Sequence, residues 1–362
     1  MCFTKFKVKD KEMYFDIAKK KAELLKQKKD VLILGIESSC DETSIAVVKN
    51  GREVLSNIIA TQIDIHTRFG GVVPEVASRN HIMAFINVLD ESLKKANVSL
   101  QDIDAIAVTY GAGLIGALMV GVSFAKSLAY ALNIPLIKVN HIRGHMCANY
   151  ICYKDLTPPF IGLIVSGGHT AIVEVKDYVN YNLIGSTLDD AIGESLDKVA
   201  RVIGLGYPGG PKVDKMAKEG KYSIKFVKDS LSKTYNSSFS GLKTACINYV
   251  HNLTQKGKEI PVADICASLQ NEAFTPLIEK TIRACKNKGY KTLCVAGGVS
   301  ANSFLRENLT KKGEENGIKV YFPEMKLCTD NGAMIGSMGY FNLMNGVGLS
   351  DINLDAVSNI PL

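Results

Sequence analysis

The sequence predicts an α/β protein assembled from two copies of one strand-and-helix unit. Leu32-Ile-Leu-Gly-Ile-Glu37, a polar Ser-Ser-Cys-Asp-Glu-Thr turn and Ser44-Ile-Ala-Val-Val48 read as a strand, a turn and a strand. Residues 161–165, a Ser-Gly-Gly-His-Thr turn and residues 171–175 repeat that pattern. Each half then presents an apolar strand that runs into a glycine turn and a helix: residues 105–110 before Gly111-Ala-Gly113, and residues 292–296 before Gly297-Gly298. Thr157-Pro-Pro159 interrupts the chain between the copies, which places a boundary near residues 155–159. The division expected is a Lys-rich extension over 1–30, a first lobe over 31–157 and a second over 158–362.

Taken in order, the extension comes first. Residues 9–29 have helical spacing, with Met13, Ile17 and Leu24 or Leu25 as an apolar stripe among lysines. A solvated helix is the plainer reading, and a docking arm for an acidic partner or tRNA the sharper one. Helices follow over 74–95, opened by a proline suited to a first helical turn, and over 263–288, where Ile265, Leu269, Phe274, Leu277, Ile278 and Ile282 mark a core stripe.

Composition narrows the class. The 362 residues suffice for two ordinary domains, and 46% hydrophobic against 22% charged residues can build substantial cores. The longest apolar run, residues 113–125, is Gly-rich, precedes Lys126 and falls short of the ~18 residues of a membrane span, so a soluble protein is expected. Nine cysteines without a Cys-x-x-Cys pair, and no secretory signal, read as free thiols in a reducing, cytoplasmic setting. The net charge of +7 is concentrated in residues 1–30, which hold ten lysines and five acids. The remainder is close to neutral, so charge alone does not argue for a nucleic-acid partner.

The segment richest in chemistry is His141-Ile-Arg-Gly-His145. Two imidazoles four residues apart on a helix share one face and can share a metal ion; two surface histidines without an ion are the plainer alternative. A protease-type zinc helix would carry a glutamate after the first histidine, and Ile142 stands there. His66, His81 and His251 lack partners at ligand spacing and read as structural. Asp330, in Cys328-Thr-Asp-Asn-Gly-Ala, opens the last long helix, where an aspartate is ordinarily a cap.

Two hairpin turns suit phosphate. Ser166-Gly167-Gly168-His169-Thr170 offers unhindered backbone N–H groups and hydroxyls, and Ser38–Thr43 does the same with Asp41 and Glu42 able to orient a cation or water. Gly297-Gly-Val-Ser-Ala-Asn302 ends an apolar strand where backbone can pass against an adenine or ribose, with Asn302 either on the nucleoside or in the first helical turn. Asp214, after the rigid Tyr207–Pro211 turn, can reach ribose hydroxyls. Asp189-Asp190 and the Gly193–Lys198 run read as a dense but solvated helix face. Gly111–Gly116 and Gly204–Gly209 both match the dinucleotide glycine pattern. The first lacks the acid about 20 residues on and the second is a proline-containing loop, so neither is taken as a nucleotide fingerprint.

Gly35-Ile-Glu-Ser-Ser-Cys-Asp-Glu-Thr, Gly70-Gly-Val-Val-Pro-Glu, Asn140-His-Ile-Arg-Gly-His, Val165-Ser-Gly-Gly-His-Thr, Gly297-Gly-Val-Ser-Ala-Asn and Cys328-Thr-Asp-Asn-Gly-Ala together resemble the tRNA N6-adenosine threonylcarbamoyltransferases, the TsaD family, from about Val31 onward. The resemblance implies an actin- and Hsp70-like (ASKHA) fold, two ribonuclease-H-like lobes around a nucleotide and metal cleft. It implies transfer of a threonylcarbamoyl group from threonylcarbamoyl-AMP to N6 of the adenosine 3′ of the anticodon in tRNAs reading codons that begin with A. It further implies that His141, His145 and Asp330 bind one Fe2+ or Zn2+, and that Ile164, Val165, Ser166, Gly167, Gly168, Asp197, Gly210, Asp214 and Asn302 hold the adenylate or ATP, the latter with Mg2+. Asp41 or Glu42 is then the candidate general base for the adenosine N6. The form His66-Thr-Arg-Phe-Gly-Gly-Val-Val-Pro-Glu resembles the bacterial branch, which implies a catalytically silent TsaB-like paralogue and a TsaE-like ATPase as partners. A metalloprotease, a non-catalytic nucleotide-binding scaffold and, at fold level only, a sugar kinase are the competing readings.

Overall fold

The computed structural model describes residues 8–227 and 231–362; the first seven residues of the Lys-rich extension, and its side chains through residue 12, lie outside them. The chain forms two compact units. One runs through Gln62, resumes over Val72–Leu156 and closes with Asp330–Leu362; the other takes Ile63–Gly71 and Thr157–Thr329.

The first unit begins with α1 (Val8–Leu25) and the strands β1 (Leu32–Glu37), β2 (Glu42–Lys49) and β3 (Glu53–Thr61). The short α2 (Ile63–Thr67) belongs to the second unit. The first then resumes with α3 (Pro74–Ala96), β4 (Ala105–Gly111), α4 (Ile115–Leu132), β5 (Leu136–Asn140) and α5 (His141–Cys152). Its partner carries β6 (Phe160–Val165), β7 (Thr170–Val175), β8 (Tyr181–Ser186), α6 (Ile192–Val202), α7 (Gly209–Ala217), α8 (Ser240–Gln255), α9 (Val262–Lys288), β9 (Thr292–Ala296), α10 (Ser303–Glu315) and β10 (Lys319–Tyr321). Finally α11 (Gly332–Met344) and β11 (Leu349–Ser350) rejoin the first unit.

Sheet order makes the duplication explicit. The first sheet runs β11-β5-β4-β1-β2-β3 and the second β10-β9-β6-β7-β8. In both, the first strand of the unit pairs antiparallel with the second and parallel with the fourth, while the fourth and fifth pair in parallel. The central strands are apolar without alternation because both faces are covered, as in other parallel-centred sheets: every residue of β6 is buried.

Helix ends follow local chemistry. Pro74 occupies the first turn of α3, and Asn97 ends it in the left-handed conformation, its N–H on the Leu93 and Lys94 carbonyls. Asn140 ends β5 and caps α5 at once, its side-chain oxygen accepting from Ile142 N and Arg143 N. The 18-residue α4 is apolar enough by length and composition to cross a membrane. Here its Ala117, Leu118, Gly121, Val122, Ala125 and Ala129 are buried, at the helical spacing of a core-facing stripe.

Two expectations are corrected. The extension is not a solvated helix: Tyr14, Ala18, Ala22 and Leu25 are buried and the Tyr14 hydroxyl donates to Ile134 O at 2.9 Å, whereas Met13 and Leu24 are exposed. The inward stripe of α1 is Tyr14, Ala18, Ala22 and Leu25, so of the residues expected on it Leu25 is buried and Met13 and Leu24 are not. The division at 157/158 also gives way, because residues 330–362 return to cover the first sheet and Ile63–Gly71 pack with the second unit, where Arg201 donates to Gly70 O.

The return is close. A methyl group on Gly35 of β1 would stand 2.2 Å from Gly332 O and 2.4 Å from Gly336 N, and one on Gly339 would stand 2.3 Å from Ala107 Cβ. The helix therefore lies backbone against sheet, with glycine required at the contact. Gly35→Ala is expected to cost about 1–3 kcal/mol of unfolding free energy, the range for overpacking, as a lowered midpoint in urea denaturation.

Candidate functional site

β5 turns directly into α5, so His141 and His145 sit on its first two turns, both buried. Gly144, on the same helix, admits α11: a methyl there would meet Ile335 Cδ1 at 2.8 Å. Asn331, not Asp330, caps α11, its Oδ1 accepting from Met334 N at 3.0 Å. That leaves the Asp330 carboxylate turned to the histidines, Oδ1 at 3.5 Å from His141 Nε2 and 3.3 Å from His145 Nε2. The three ligand atoms lie within 4.8 Å of one another. Two ligands about 2.1 Å from a common ion at tetrahedral angles stand about 3.4 Å apart, so this donor set fits a divalent transition metal.

The surrounding charge favours a cation. Burial raises the Asp330 carboxyl to about 6, with Glu37 and Asp41 adding to the rise against the pull of His141. Burial, then Asp41 and Asp330, raise Glu42 well above the usual carboxyl range. For His141, burial works downward, but Asp330 first and Glu37 second lift the imidazole to about 9. Asp41 and Glu42, expected beside the site from sequence, thus lie within the electrostatic reach of Asp330.

Sequence spacing does not reveal Glu37, Ser39 or Thr109. Glu37 is fully buried at the end of β1, with Oε2 3.0 Å from His141 Nδ1 and accepting from Thr109 Oγ1 at 2.6 Å, and Oε1 accepting from Ser39 N at 2.5 Å. Ser39 Oγ stands 3.1 Å from the same His141 nitrogen. Burial would raise the Glu37 carboxyl; His141, with hydrogen bonds from His141, Ser39 and Thr109, brings it down to about 2. The available signal was a carboxylate closing an otherwise apolar strand, a costly placement without partners. His81, read as structural, braces the same turn between Thr43 Oγ1 (2.7 Å) and Cys40 O (2.9 Å).

In the second unit the expected nucleotide residues form one connected set of loops. Ile164 and Val165 are buried in β6. Ser166 N donates to His169 O and His169 N to Ser166 Oγ, closing the turn. Gly193 packs on that turn and Gly297, at φ +93°, on Val165 O. Asp197 Oδ1 accepts from Gly209 N at 2.7 Å and Gly210 N at 3.2 Å. Asp214 accepts from Ser303 Oγ and N at 2.8 and 3.1 Å. Asn302 caps α10 through Leu305 N and donates to Gln270 Oε1. Over Gly167, Gly168, Gly210 and Gly298, among the described residues, no heavy atom beyond the chain neighbours lies within 4 Å of where a side chain would begin, which leaves backbone open to a ligand.

Asp189 and Asp190 are not a solvated helix face. They precede α6 and hold the start of α8: Asp189 Oδ1 accepts from Phe239 N at 2.8 Å, and Asp190 pairs with Lys243 and Ser240. The reason is that α8 begins with backbone donors that need acceptors.

Two units of one sheet order, one bearing a His-His-Asp donor set and the other backbone-lined glycine loops, define an α/β protein of the actin- and Hsp70-like (ASKHA) class. Solved structures agree at the level of fold: HypF of T. kodakarensis, with a TM-score of 0.60, 14% identity and coverage of 90% of this chain and 49% of its own, and component A of (R)-2-hydroxyglutaryl-CoA dehydratase from Acidaminococcus fermentans, with a TM-score of 0.51, 15% identity and coverage of 86% and 99%. The profile of the family described as tRNA N6-adenosine threonylcarbamoyltransferase (TsaD) matches residues 53–337. A protein of that name from Clostridium perfringens is 57% identical over 333 residues, 91% of this chain and 98% of its own, and one from Clostridioides difficile 55% over 335 residues, 92% and 99%. The chain belongs to the tRNA N6-adenosine threonylcarbamoyltransferase family.

Two outcomes test these sites. His145→Ala is expected to abolish stoichiometric zinc binding by the purified chain, measured by competition with a chromogenic chelator. In the second unit, the Lys243 hydrogen bond foremost, then Ser240 and Lys198, hold Asp190 down to about 2 against the opposing effect of burial. A depressed carboxyl stabilises the fold above its unfolded value and loses that contribution as pH falls through the folded value. Lys243→Met is therefore expected to lower stability by about 1 kcal/mol near neutrality, with the difference from wild type closing between about pH 4 and pH 2 in denaturation curves across pH.

Proposed function

We propose that the chain takes the threonylcarbamoyl group from threonylcarbamoyl-AMP and transfers it to N6 of the adenosine 3′ of the anticodon in tRNAs reading codons that begin with A. The observation that carries this reading is the His141, His145 and Asp330 set with buried Ile142 where a hydrolase would hold its general base. His141, His145 and Asp330 would hold an iron or zinc ion, which would supply Lewis acidity toward the acyl donor. An apolar residue at 142 offers no carboxylate to activate water at that position.

The adenosine N6 attacks the carbamoyl carbon, the bond from that carbon to the phosphate oxygen breaks, and AMP leaves. Asp41 or Glu42 takes the proton that N6 loses. Gly167 and Gly168 offer backbone donors, and Ser166 its hydroxyl, to phosphate, and Ile164, Val165, Asp197, Gly210, Asp214 and Asn302 shape the place of the nucleoside of the adenylate or of ATP with its Mg2+.

Partners follow the same reading. A TsaB-like paralogue would cover the outward side of α3 and α4, where Ile82, Met83, Ile86 and Met119 are exposed, and a TsaE-like ATPase would complete the system in the cytoplasm. The test is incubation of the chain and these partners with threonylcarbamoyl-AMP and unmodified tRNA, followed by nucleoside mass spectrometry. Threonylcarbamoyladenosine is the expected product, reduced at least about 100-fold by His141→Ala; no modified adenosine from the complete mixture overturns the proposal.

A further inference from the structure

Glu37 is the least expected polar group in the first unit. It closes the apolar strand β1 with no solvent exposure, and a carboxylate so placed is tolerated only when its oxygens are satisfied. Two of its partners are built by the fold alone: Ser39 N, two residues on, and Thr109 Oγ1 from β4, the parallel neighbour of β1. These fix the plane and position of the carboxylate independently of any histidine. Its third partner, at 3.0 Å, is His141 Nδ1.

We infer that Glu37 is a positioning residue for the candidate metal site: with an ion bound, it would accept the proton on His141 Nδ1 and so hold the ring with Nε2 directed to the ion beside Asp330. A neutral imidazole has one N–H and one lone pair. When Nε2 coordinates, the proton must sit on Nδ1 and needs an acceptor, and Glu37 Oε2 is placed to accept it. Ligating histidines are commonly held this way by a carboxylate, which fixes the ring and raises its basicity. The inference rests on reading His141, His145 and Asp330 as a metal triad and adds the group that makes one of the three competent.

Ser39 Oγ, 3.1 Å from the same nitrogen, is the rival acceptor, and the test separates the two. Zinc affinity of the full chain, freed of metal, is measured by chelator competition for wild type, Glu37→Gln and Ser39→Ala, with circular dichroism and melting curves to establish folding. In Glu37→Gln the amide NH2 would face Nδ1 and drive the proton to Nε2, so affinity is expected to fall about 10- to 100-fold, while Ser39→Ala loses less than about threefold. A folded Glu37→Gln chain within about twofold of wild type, or a Ser39→Ala chain that shows the whole loss, overturns the role of Glu37. A wild-type chain that binds no zinc overturns the triad reading instead. Should the Glu37→Gln chain fail to fold, long-range 1H–15N spectra of zinc-loaded wild type labelled at histidine decide: a proton on Nδ1 of His141 supports the inference, and one on Nε2 overturns it.

Discussion

The seating of α11 on β1 is the contact on which the rest of the first unit depends. Gly35 and Gly332 meet backbone to backbone, and Gly336 and Gly339 leave room for the Val48 and Ala107 side chains of the neighbouring strands, so helix and sheet approach closely and have little freedom to slide. Asp330 precedes the helix by one cap residue, and α5 packs on its other side through Gly144. The separations of 3.3 and 3.5 Å in the donor set are thus a by-product of glycine packing many ångströms long. Metal sites need ligands held to about 0.5 Å, and rigid elements in direct contact give that precision more readily than loops.

What sequence reasoning could see follows from what is periodic. Uninterrupted apolar runs mark β1, β6 and β9, and the repeated hairpin marks the duplication, because a buried strand needs both properties whatever its partners. His141 and His145 are legible because four residues is about one helical turn. In α1 the contact is made by Tyr14, Ala18, Ala22 and Leu25 rather than by Met13 and Leu24, and hydrophobicity alone weighs alanine too lightly. Glu37 leaves only the signal of a carboxylate closing an apolar strand: its partner Thr109 is distant in the chain and meets it only through the register of β1 with β4. The roles of Asp189 and Asp190 at the start of α8 were equally out of reach, because capping by a residue so distant in the chain leaves no local pattern.

The second unit divides labour between side chains and backbone. Asp197, Asp214 and Asn302 direct oxygens to N–H groups in the first turns of α7 and α10, while glycines nearby present bare backbone. Acidic side chains that would repel phosphate are thereby occupied with peptide donors, and the positively polarised N–H groups of the turns remain the outward chemistry. The same rule operates in the first unit, where Glu37 is engaged by Ser39 and Thr109 as well as by His141.

The third side chain of the His-His-Asp set lies in a segment made only after all of the second unit. On a ribosome adding about 5–20 residues per second, residues through Leu156 wait of the order of ten seconds or more before Asp330 and α11 exist. Throughout that interval the glycine-floored face of the first sheet has no helix to cover it, and its two histidines have no carboxylate from α11's approach. Synthesis order thus makes completion of the His-His-Asp set a late event, tied to the folding of the last helix onto the first sheet.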